Sequence, residues 1–271
     1  MIPDMVISDF DGTLFSPQHS IHPDDIKTMH WLGKRKIVRI IATGRSMYSL
    51  QKVLPPDFPV DYIAFSSGAG ILDWKTRKLL TKRQLRAAEV KELTAFLFEQ
   101  QCDFMVHEPI PLNHRFNYFI HNNMHADFER RIKLYAPYAK RIEELPLTVP
   151  ATQIIVIHTD GPAAHQKLSK ALAGYNIIRT TSPLDGKTIW IEIFPRDVSK
   201  AEAANWLCSY LCISSDAVMA VGNDYNDRQL LDWAAISYLM RTAPDQLKGK
   251  YRSTLSPAEA GFSKAVAEVI I

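Results

Sequence analysis

Short apolar runs that stop abruptly in polar or glycine-bearing turns constrain this chain more than any other feature. Met5-Val6-Ile7-Ser8 runs into Asp9, and Val38 to Ala42 runs into Thr43-Gly44-Arg45. Tyr62 to Phe65 runs into Ser66-Ser67-Gly68, Ala217 to Val221 runs into Gly222-Asn223-Asp224, and Ala235 to Met240 makes a fifth. Runs this short, without a polar face, suit strands buried on both sides, as in a parallel sheet. Helical patterns lie between them. Pro23 to Lys34 carries Ile26, Met29 and Leu32, Ser46 to Leu54 is stopped by Pro55-Pro56, and Ser199 to Leu211 sets Ala203, Ala204, Leu207 and Leu211 on one stripe. Strands alternating with helices predict an α/β fold with a doubly wound parallel sheet.

The rhythm breaks in the middle. Ile71 to Thr81 reads as a hairpin about Lys75-Thr76-Arg77, and a helix is predicted from Gln84 to about Gln100. Phe104 to Ile120 has no helical period, Phe128 to Tyr138 looks helical, Gln153 to His158 is a strand candidate, and His165 to Ala173 is a helix ending at Gly174. Thr188 to Phe194 alternates again and is expected to return to the first sheet. The expected organisation is therefore a core of residues 1–80 and 186–271, split by an inserted α+β domain of residues 81–185.

Composition narrows the function. A chain of 271 residues with a net charge of +3 is too weakly basic to imply a nucleic-acid partner, and Gly33-Lys34-Arg35-Lys36 reads as a solvated helix end. No stretch approaches the roughly 18 apolar residues that span a bilayer, and the start of the chain has no signal-peptide pattern, so a cytoplasmic location without a membrane partner is expected. Cys102, Cys208 and Cys212 form no disulfide framework; Cys208 and Cys212, four apart, read as small buried apolar residues on one helix face. No Gly-x-Gly-x-x-Gly follows a strand, which argues against a dinucleotide site.

Four clusters can carry chemistry. Asp9-Phe10-Asp11-Gly12-Thr13 places two carboxylates two apart at a strand end, where one can attack phosphorus while the other handles a proton, and Gly12 lets the chain turn away. Thr43-Gly44-Arg45 offers a hydroxyl and free N–H groups before a helix, an anion site. Lys200 begins a helix, where its charge opposes the dipole unless an anion is near. Gly222-Asn223-Asp224-Tyr225-Asn226-Asp227 gathers oxygen donors of the kind that hard cations such as magnesium prefer. Apart from the first, each of these alone reads as well as an ordinary turn or a solvated side chain. Together they fall at strand ends or helix starts that a parallel sheet brings to one edge.

In these residues the chain resembles the haloacid dehalogenase (HAD) superfamily, specifically the Cof-type phosphatases, whose Rossmann-like core carries a large α+β cap after the third strand. Asp9 to Thr13, Thr43, Lys200 and Gly222 to Asp227 are similar to its four motifs in order and spacing; the inserted domain matches in place and size only. The resemblance implies a magnesium-dependent phosphomonoester hydrolase acting on a small phosphorylated metabolite, a sugar phosphate or a phosphorylated cofactor. It implies that Asp9 is the nucleophile of an aspartyl-phosphate intermediate. Asp11 would protonate the leaving oxygen and then activate water. Mg2+ would be bound by the Asp9 carboxylate, the Asp11 carbonyl and the residue at 223. The Phe10 N–H, Thr43, Gly44, Lys200 and Asn226 would hold the phosphate, and Asp227 would orient Lys200 or metal-bound water. Asp11 would need to be protonated while Asp9 is ionised, a separation that neighbouring like charge can produce.

Two positions depart from the family pattern. Asn223 stands where the fourth motif usually has a metal-binding Asp, leaving Asn223 as a neutral ligand or Asp224 as a substitute reached by a small shift of backbone. Ser67 stands where the family usually has Asn, which would alter a substrate contact. Further substrate contacts are expected from Arg45 and from the inserted domain, where Arg115 and His107, His114, His121 and His125 cluster; the histidines read as exposed rather than as a metal site, since Asn122-Asn123 between the last pair is a poor helix sequence. The rival reading is a catalytically weakened phosphate-ligand binding or regulatory protein on the same scaffold, favoured only by Asn223. A phosphomutase is disfavoured because mutases resembling this superfamily usually carry a small cap after the first strand. The sequence leaves the oligomeric state open.

Overall fold

A computed structural model describes residues 2–121, 125–158, 160–182 and 184–270. The first strand, β1 (Met5–Asp9), is buried along its whole length and is followed by a two-residue hairpin, β2 (Phe15–Ser16) and β3 (Ser20–Ile21). Helix α1 (Pro23–Lys34) has proline in its first turn and the His22 ring as its N-terminal cap, and leads into β4 (Val38–Ala42). Helix α2 is shorter than its sequence pattern, Met47–Leu50, and the chain continues in turns to Pro55. Next come β5 (Tyr62–Phe65), β6 (Gly70–Asp73) and β7 (Leu79–Lys82).

The middle of the chain supplies α3 (Ala87–Glu99), β8 (Phe104–His107), β9 (Phe116–Phe119), α4 (Ala126–Leu134), β10 (Ala139–Arg141), β11 (Gln153–Ile157), α5 (Gly161–Ala171), β12 (Tyr175–Thr181) and β13 (Ile189–Pro195). The final stretch supplies α6 (Lys200–Leu211), β14 (Val218–Gly222), α7 (Arg228–Trp233), β15 (Ile236–Met240), β16 (Arg252–Thr254) and α8 (Gly261–Ile270).

These elements form two compact units, Met1–Thr81 with Ser199–Ile271, and Lys82–Val198. The first is built on an eight-stranded sheet of order β16-β15-β14-β1-β4-β5-β6-β7. From β16 through β5 neighbouring strands run parallel; β6 returns antiparallel beside β5, the hairpin turn foreseen near residue 75 making the edge. Side chains alternate across the sheet, so Met5, Ile7, Ile40, Ala42, Val218 and Ala220 share one face, covered by Ala203, Ala204 and Leu207 of α6 and Leu230 and Leu231 of α7. Helix α1 packs beside α8 and β4. In register, Ser8 lies between Ile41 and Val221, and Asp9 beside Ala42, so the carboxyl ends of β1, β4 and β14 align.

The second unit has its own six-stranded sheet, β10-β9-β8-β11-β13-β12, mostly antiparallel. Helices α3 and α5 pack on one face through Leu93, Leu97 and Leu168, and α4 packs on the other through Phe128 against Met105, Ile155 and Trp190. Here the expected boundary of the insert shifts. Thr188 to Phe194 does not return to the first sheet: β13 pairs antiparallel with β11 and β12, and the first unit resumes only at Ser199. Alternation shows that a segment is a strand; it carries no label for which sheet supplies its partners. Cys212 also departs from expectation. Helix α6 ends at Leu211, Cys212 turns left-handed with φ of 55°, and its thiol is exposed while Cys208 stays buried. Among the described residues, no helix is long and apolar enough to cross a membrane.

Candidate active site

The aligned strand ends bring together residues that lie up to about two hundred positions apart in sequence. Asp9 closes β1, and its carboxylate Oδ1 receives the Lys200 ammonium at 2.5 Å. The same ammonium reaches Asp227 Oδ1, also at 2.5 Å. All three groups are almost fully buried, with relative exposures of 4% for Asp9, 2% for Lys200 and 0% for Asp227. Ser199 caps α6 by accepting from the Glu202 N–H, which fixes Lys200 at the helix's first position. Gly68 permits that placement: it has φ of +96°, and a Cβ there would come 2.3 Å from the Ser199 carbonyl oxygen. Burial by itself would lower the Lys200 ammonium, but the charges of Asp227 and Asp9 and the hydrogen bonds to them hold it above its ordinary value. Burial and the Asp227 charge push the Asp9 carboxyl up to about 8, against the opposing pull of Lys200. Asp9 in its ionised form is therefore short of positive charge.

Asp11, two residues on, is held differently. Arg45 forks its carboxylate, Nε and Nη2 each 2.7 Å from an oxygen. Arg45 was expected to meet substrate; in this structure its guanidinium is occupied by Asp11 and lies over the Phe10 and Phe15 rings. Phe10 is buried and stacked on Phe15, and its carbonyl accepts the N–H groups of Thr13, Leu14 and Phe15, which closes the turn after Asp9. Gly12 has φ of +80°, and a Cβ there would fall 2.3 Å from the Asn223 amide.

The Asn223 amide is the feature that sequence alone did not place. The structure sets its amide oxygen 3.2 Å from the Thr13 hydroxyl, which donates to it, and the same corner lies 3.0 Å from Asp9 Oδ2 and 3.0 Å from the Asp11 carbonyl oxygen; turned over, the amide sets its two N–H bonds against these three oxygens. With oxygen inward, the amide faces a carbonyl and an ionised carboxylate that carry no hydrogen. The loop is braced from behind: Asp227 Oδ2 accepts from the Asn223 and Asp224 N–H groups at 2.8 and 3.1 Å. Gly222 leaves room for that carboxylate, since a Cβ would lie 2.6 Å from Asp227 Cβ. Asp224 caps the same short turn reciprocally with Asp227. Of the two candidate ligands, Asn223 is the one beside Asp9 and the Asp11 carbonyl.

Thr43 is fully buried after β4, and its Oγ1 accepts the Arg45 N–H at 3.1 Å. A methyl group on Gly44 would lie 3.6 Å from Ser67 Oγ and 4.0 Å from Asn226 Nδ2, so both side chains converge on that glycine. Ser66 and Ser67 both adopt left-handed φ, 50° and 55°, and the Ser67 N–H donates to the Thr43 carbonyl. Left-handed backbone at non-glycine residues costs about 1–2 kcal/mol each, so neighbouring structure fixes this turn.

The first unit thus gathers Asp9, Phe10, Asp11, Thr43, Gly44, Arg45, Ser67, Lys200, Asn223, Asp224, Asn226 and Asp227. Arg115 belongs to the second unit, where it is exposed in the turn joining β8 to β9. His107 is not exposed as expected: it is buried, its Nδ1–H donates to the Asn113 carbonyl, and burial pushes it down to about 3, so it stays neutral. His114 stands edge-on to Tyr138, the His121 N–H donates to Asp103, and His125 caps α4; Asn122 and Asn123 lie outside the described residues. Among the described residues no three His, Cys, Asp or Glu side chains are placed to hold a metal. The roles of Gly68, Gly222 and Thr13 were missed in the sequence; the only signal was that Thr13 and Gly222 stand at the ends of their motifs and Gly68 follows Ser67.

A family model described as haloacid dehalogenase-like hydrolase matches residues 6–269. The HMP-PP phosphatase of Escherichia coli O157:H7 is 26% identical over 249 residues, covering 89% of this chain and 85% of that protein. The HAD phosphatase BT1666 of Bacteroides thetaiotaomicron superposes with a TM-score of 0.80 at 20% identity, over 99% of this chain and 95% of that one. The HAD subclass IIB sugar phosphatase BT4131 superposes with a TM-score of 0.73 at 18% identity, over 97% and 98%. These superpositions establish the likeness of fold.

Proposed function

The chain belongs to the haloacid dehalogenase-like hydrolases, and from that premise we propose that it is a magnesium-dependent phosphatase that cleaves a small phosphate monoester through Asp9. The observation that carries this reading is Lys200 Nζ held 2.5 Å from both Asp9 and Asp227 in a buried site at the strand ends. A structural ion pair would gain little from such burial, whereas a phosphoryl-transfer site needs a fixed cation beside its nucleophile.

The residues fit a magnesium ion. Asp9 Oδ2, the Asp11 carbonyl and the Asn223 amide meet at one corner, all of them hard oxygen donors once the amide oxygen faces in. The raised Asp9 carboxyl marks the same corner as short of positive charge. When bound, the ion would offset the repulsion between nucleophile and phosphate.

The chain's own residues supply the rest. Asp9 attacks phosphorus, forming an aspartyl-phosphate and expelling the alcohol oxygen. Lys200 neutralises charge on Asp9 and on the phosphoryl oxygens, and Asp227 holds it in place. The Phe10 N–H, Thr43, the Gly44 backbone and Asn226 hold the phosphoryl group. Asp11 gives its proton to the leaving oxygen and later takes one from the attacking water. The Arg45 fork must open before either step, because a carboxylate held by two N–H donors has no proton to give. The second unit, Lys82–Val198, we assign to substrate choice through Arg115, and Ser67 of the first unit is a separate candidate contact. Relatives are named for HMP-PP and for sugar phosphates, and a substrate of that general kind, a small phosphorylated metabolite, suits a family of this description.

The test is magnesium-dependent release of phosphate from an aryl phosphate by wild type and Asp9→Asn. Activity in the first and none in the second supports hydrolysis through Asp9. Equal activity refutes it, and activity in neither favours a phosphate-binding protein, the reading that the neutral Asn223 would suit. A panel of phosphorylated metabolites then identifies the substrate.

A further inference from the structure

The corner formed by Asp9 and Asp11 contains more than a metal site. Its acceptors are an Asp9 carboxylate oxygen and the Asp11 carbonyl, neither of which can donate, together with the Thr13 hydroxyl. Left alone, buried oxygens so placed repel one another and lack partners, a costly arrangement. A carboxylate at position 223 would add another oxygen to the group, and only a cation would hold it together. The Asn223 amide can do the opposite: turned nitrogen-inward, it presents its two N–H bonds to the same oxygens at 3.0, 3.0 and 3.2 Å.

The side chain has little freedom other than to turn over. Its backbone N–H is tied to Asp227 Oδ2 at 2.8 Å, and its amide rests against Gly12, where even a Cβ would be 2.3 Å away. A half-turn about the last side-chain bond exchanges nitrogen for oxygen at the corner without moving the loop. One side chain can therefore present either a donor pair or a neutral oxygen ligand.

We propose that Asn223 is a built-in stand-in for the divalent cation: its amide nitrogen holds the site together when no metal is bound, and its oxygen becomes a ligand when metal enters. The proposal rests on the reading of this corner as a magnesium site. It makes two demands. The metal-free protein keeps its site assembled, and magnesium binds weakly, because the ion displaces hydrogen bonds already made and gains an uncharged ligand in return. Catalysis would then follow the free magnesium concentration instead of being saturated by it.

Thermal unfolding of wild type and Asn223→Asp, in EDTA and across a titration with magnesium chloride alone, tests this. Asn223→Asp is expected to melt roughly 2–6 °C below wild type in EDTA, the loss of about one or two buried hydrogen bonds. Magnesium should raise it more, and at about tenfold lower concentration, since an added carboxylate tightens binding of hard cations. An Asn223→Asp protein as stable as wild type in EDTA overturns the proposal, as does an unchanged or weaker magnesium midpoint. Absence of any magnesium response in both proteins, by melting and by calorimetric titration, removes the magnesium reading and the proposal with it. A response in both with coincident EDTA curves removes the proposal alone. Should Asn223→Asp be unfolded under both conditions, Asn223→Ala takes its place: it must lose stability in EDTA and be stabilised by magnesium less than wild type, and equal stability in EDTA overturns the proposal.

Discussion

Replacing Lys200 with Met removes the single cation between two buried carboxylates while nearly keeping its volume. In the folded protein Asp9 and Asp227 each lie 2.5 Å from its ammonium, and neither residue has more than 4% exposure. At an effective dielectric of about 20, each contact is worth roughly 7 kcal/mol of Coulomb attraction. Much of that is cancelled by the desolvation that Lys200 no longer undergoes. What remains is the cost of stranding buried charge, about 3–5 kcal/mol, or roughly 6–20 °C in melting temperature.

The variant also fixes a pH dependence. Asp9 already sits up at about 8, far above its unfolded value of 3.8, because of burial and Asp227. A carboxyl raised on folding binds its proton more tightly in the folded state, so it contributes stability in full below about 4 and loses it as pH rises toward about 8. Without Lys200 the Asp9 carboxyl loses the one group that pulls it down and is driven higher still. The Lys200→Met deficit should therefore be smaller at about pH 7, where both proteins hold the Asp9 proton, and larger at about pH 9, where wild-type Asp9 ionises beside Lys200 and the variant has no cation to receive that charge. Melting followed by circular dichroism in EDTA at both values measures it. A deficit under about 1 kcal/mol at the higher pH, or one equal at both, would refute the argument that Lys200 is held by charge instead of by packing.

Three further outcomes follow from the same geometry. Asp9→Asn should lose turnover of an aryl phosphate, yet in EDTA it should gain stability relative to wild type as pH rises from about 4 to about 8, because it lacks the raised carboxyl; a constant difference across that range would contradict the burial of an ionisable Asp9. Gly68→Ala forces a Cβ to within 2.3 Å of the Ser199 carbonyl at a φ of +96°, so urea denaturation should show a loss of about 2 kcal/mol or more, accompanied by a fall in kcat as Lys200 shifts; an unchanged kcat would separate Gly68 from the placement of Lys200. Magnesium dependence of activity should weaken in Asn223→Ala and survive in Asp224→Ala, since Asn223 adjoins Asp9 and the Asp11 carbonyl while Asp224 caps the turn with Asp227; loss in Asp224→Ala alone would reverse the assignment.

The alternation of apolar runs and helical stripes in the sequence identified the layered α/β architecture, because burial on both faces leaves a pattern that depends only on local spacing. The same logic marked Asp9, Thr43, Lys200 and Asn223, each at the point where an apolar run or a helix start meets polar residues. Three things stayed hidden because they depend on which segments meet in space. Thr188 to Phe194 is a strand by its own residues, but pairing with β11 and β12 put it in the second sheet. Arg45 follows Thr43 in the chain and reads as a substrate contact, but the fold aims its guanidinium at Asp11. Asn223 read as a weakened ligand; only its approach to Asp9, Asp11 and Thr13 showed that the amide could satisfy those acceptors itself. Local propensity and periodicity are written in neighbouring residues and so are legible one segment at a time. Partner choice among buried polar groups is settled when distant segments pack, at distances of a few ångströms that no spacing along the chain encodes.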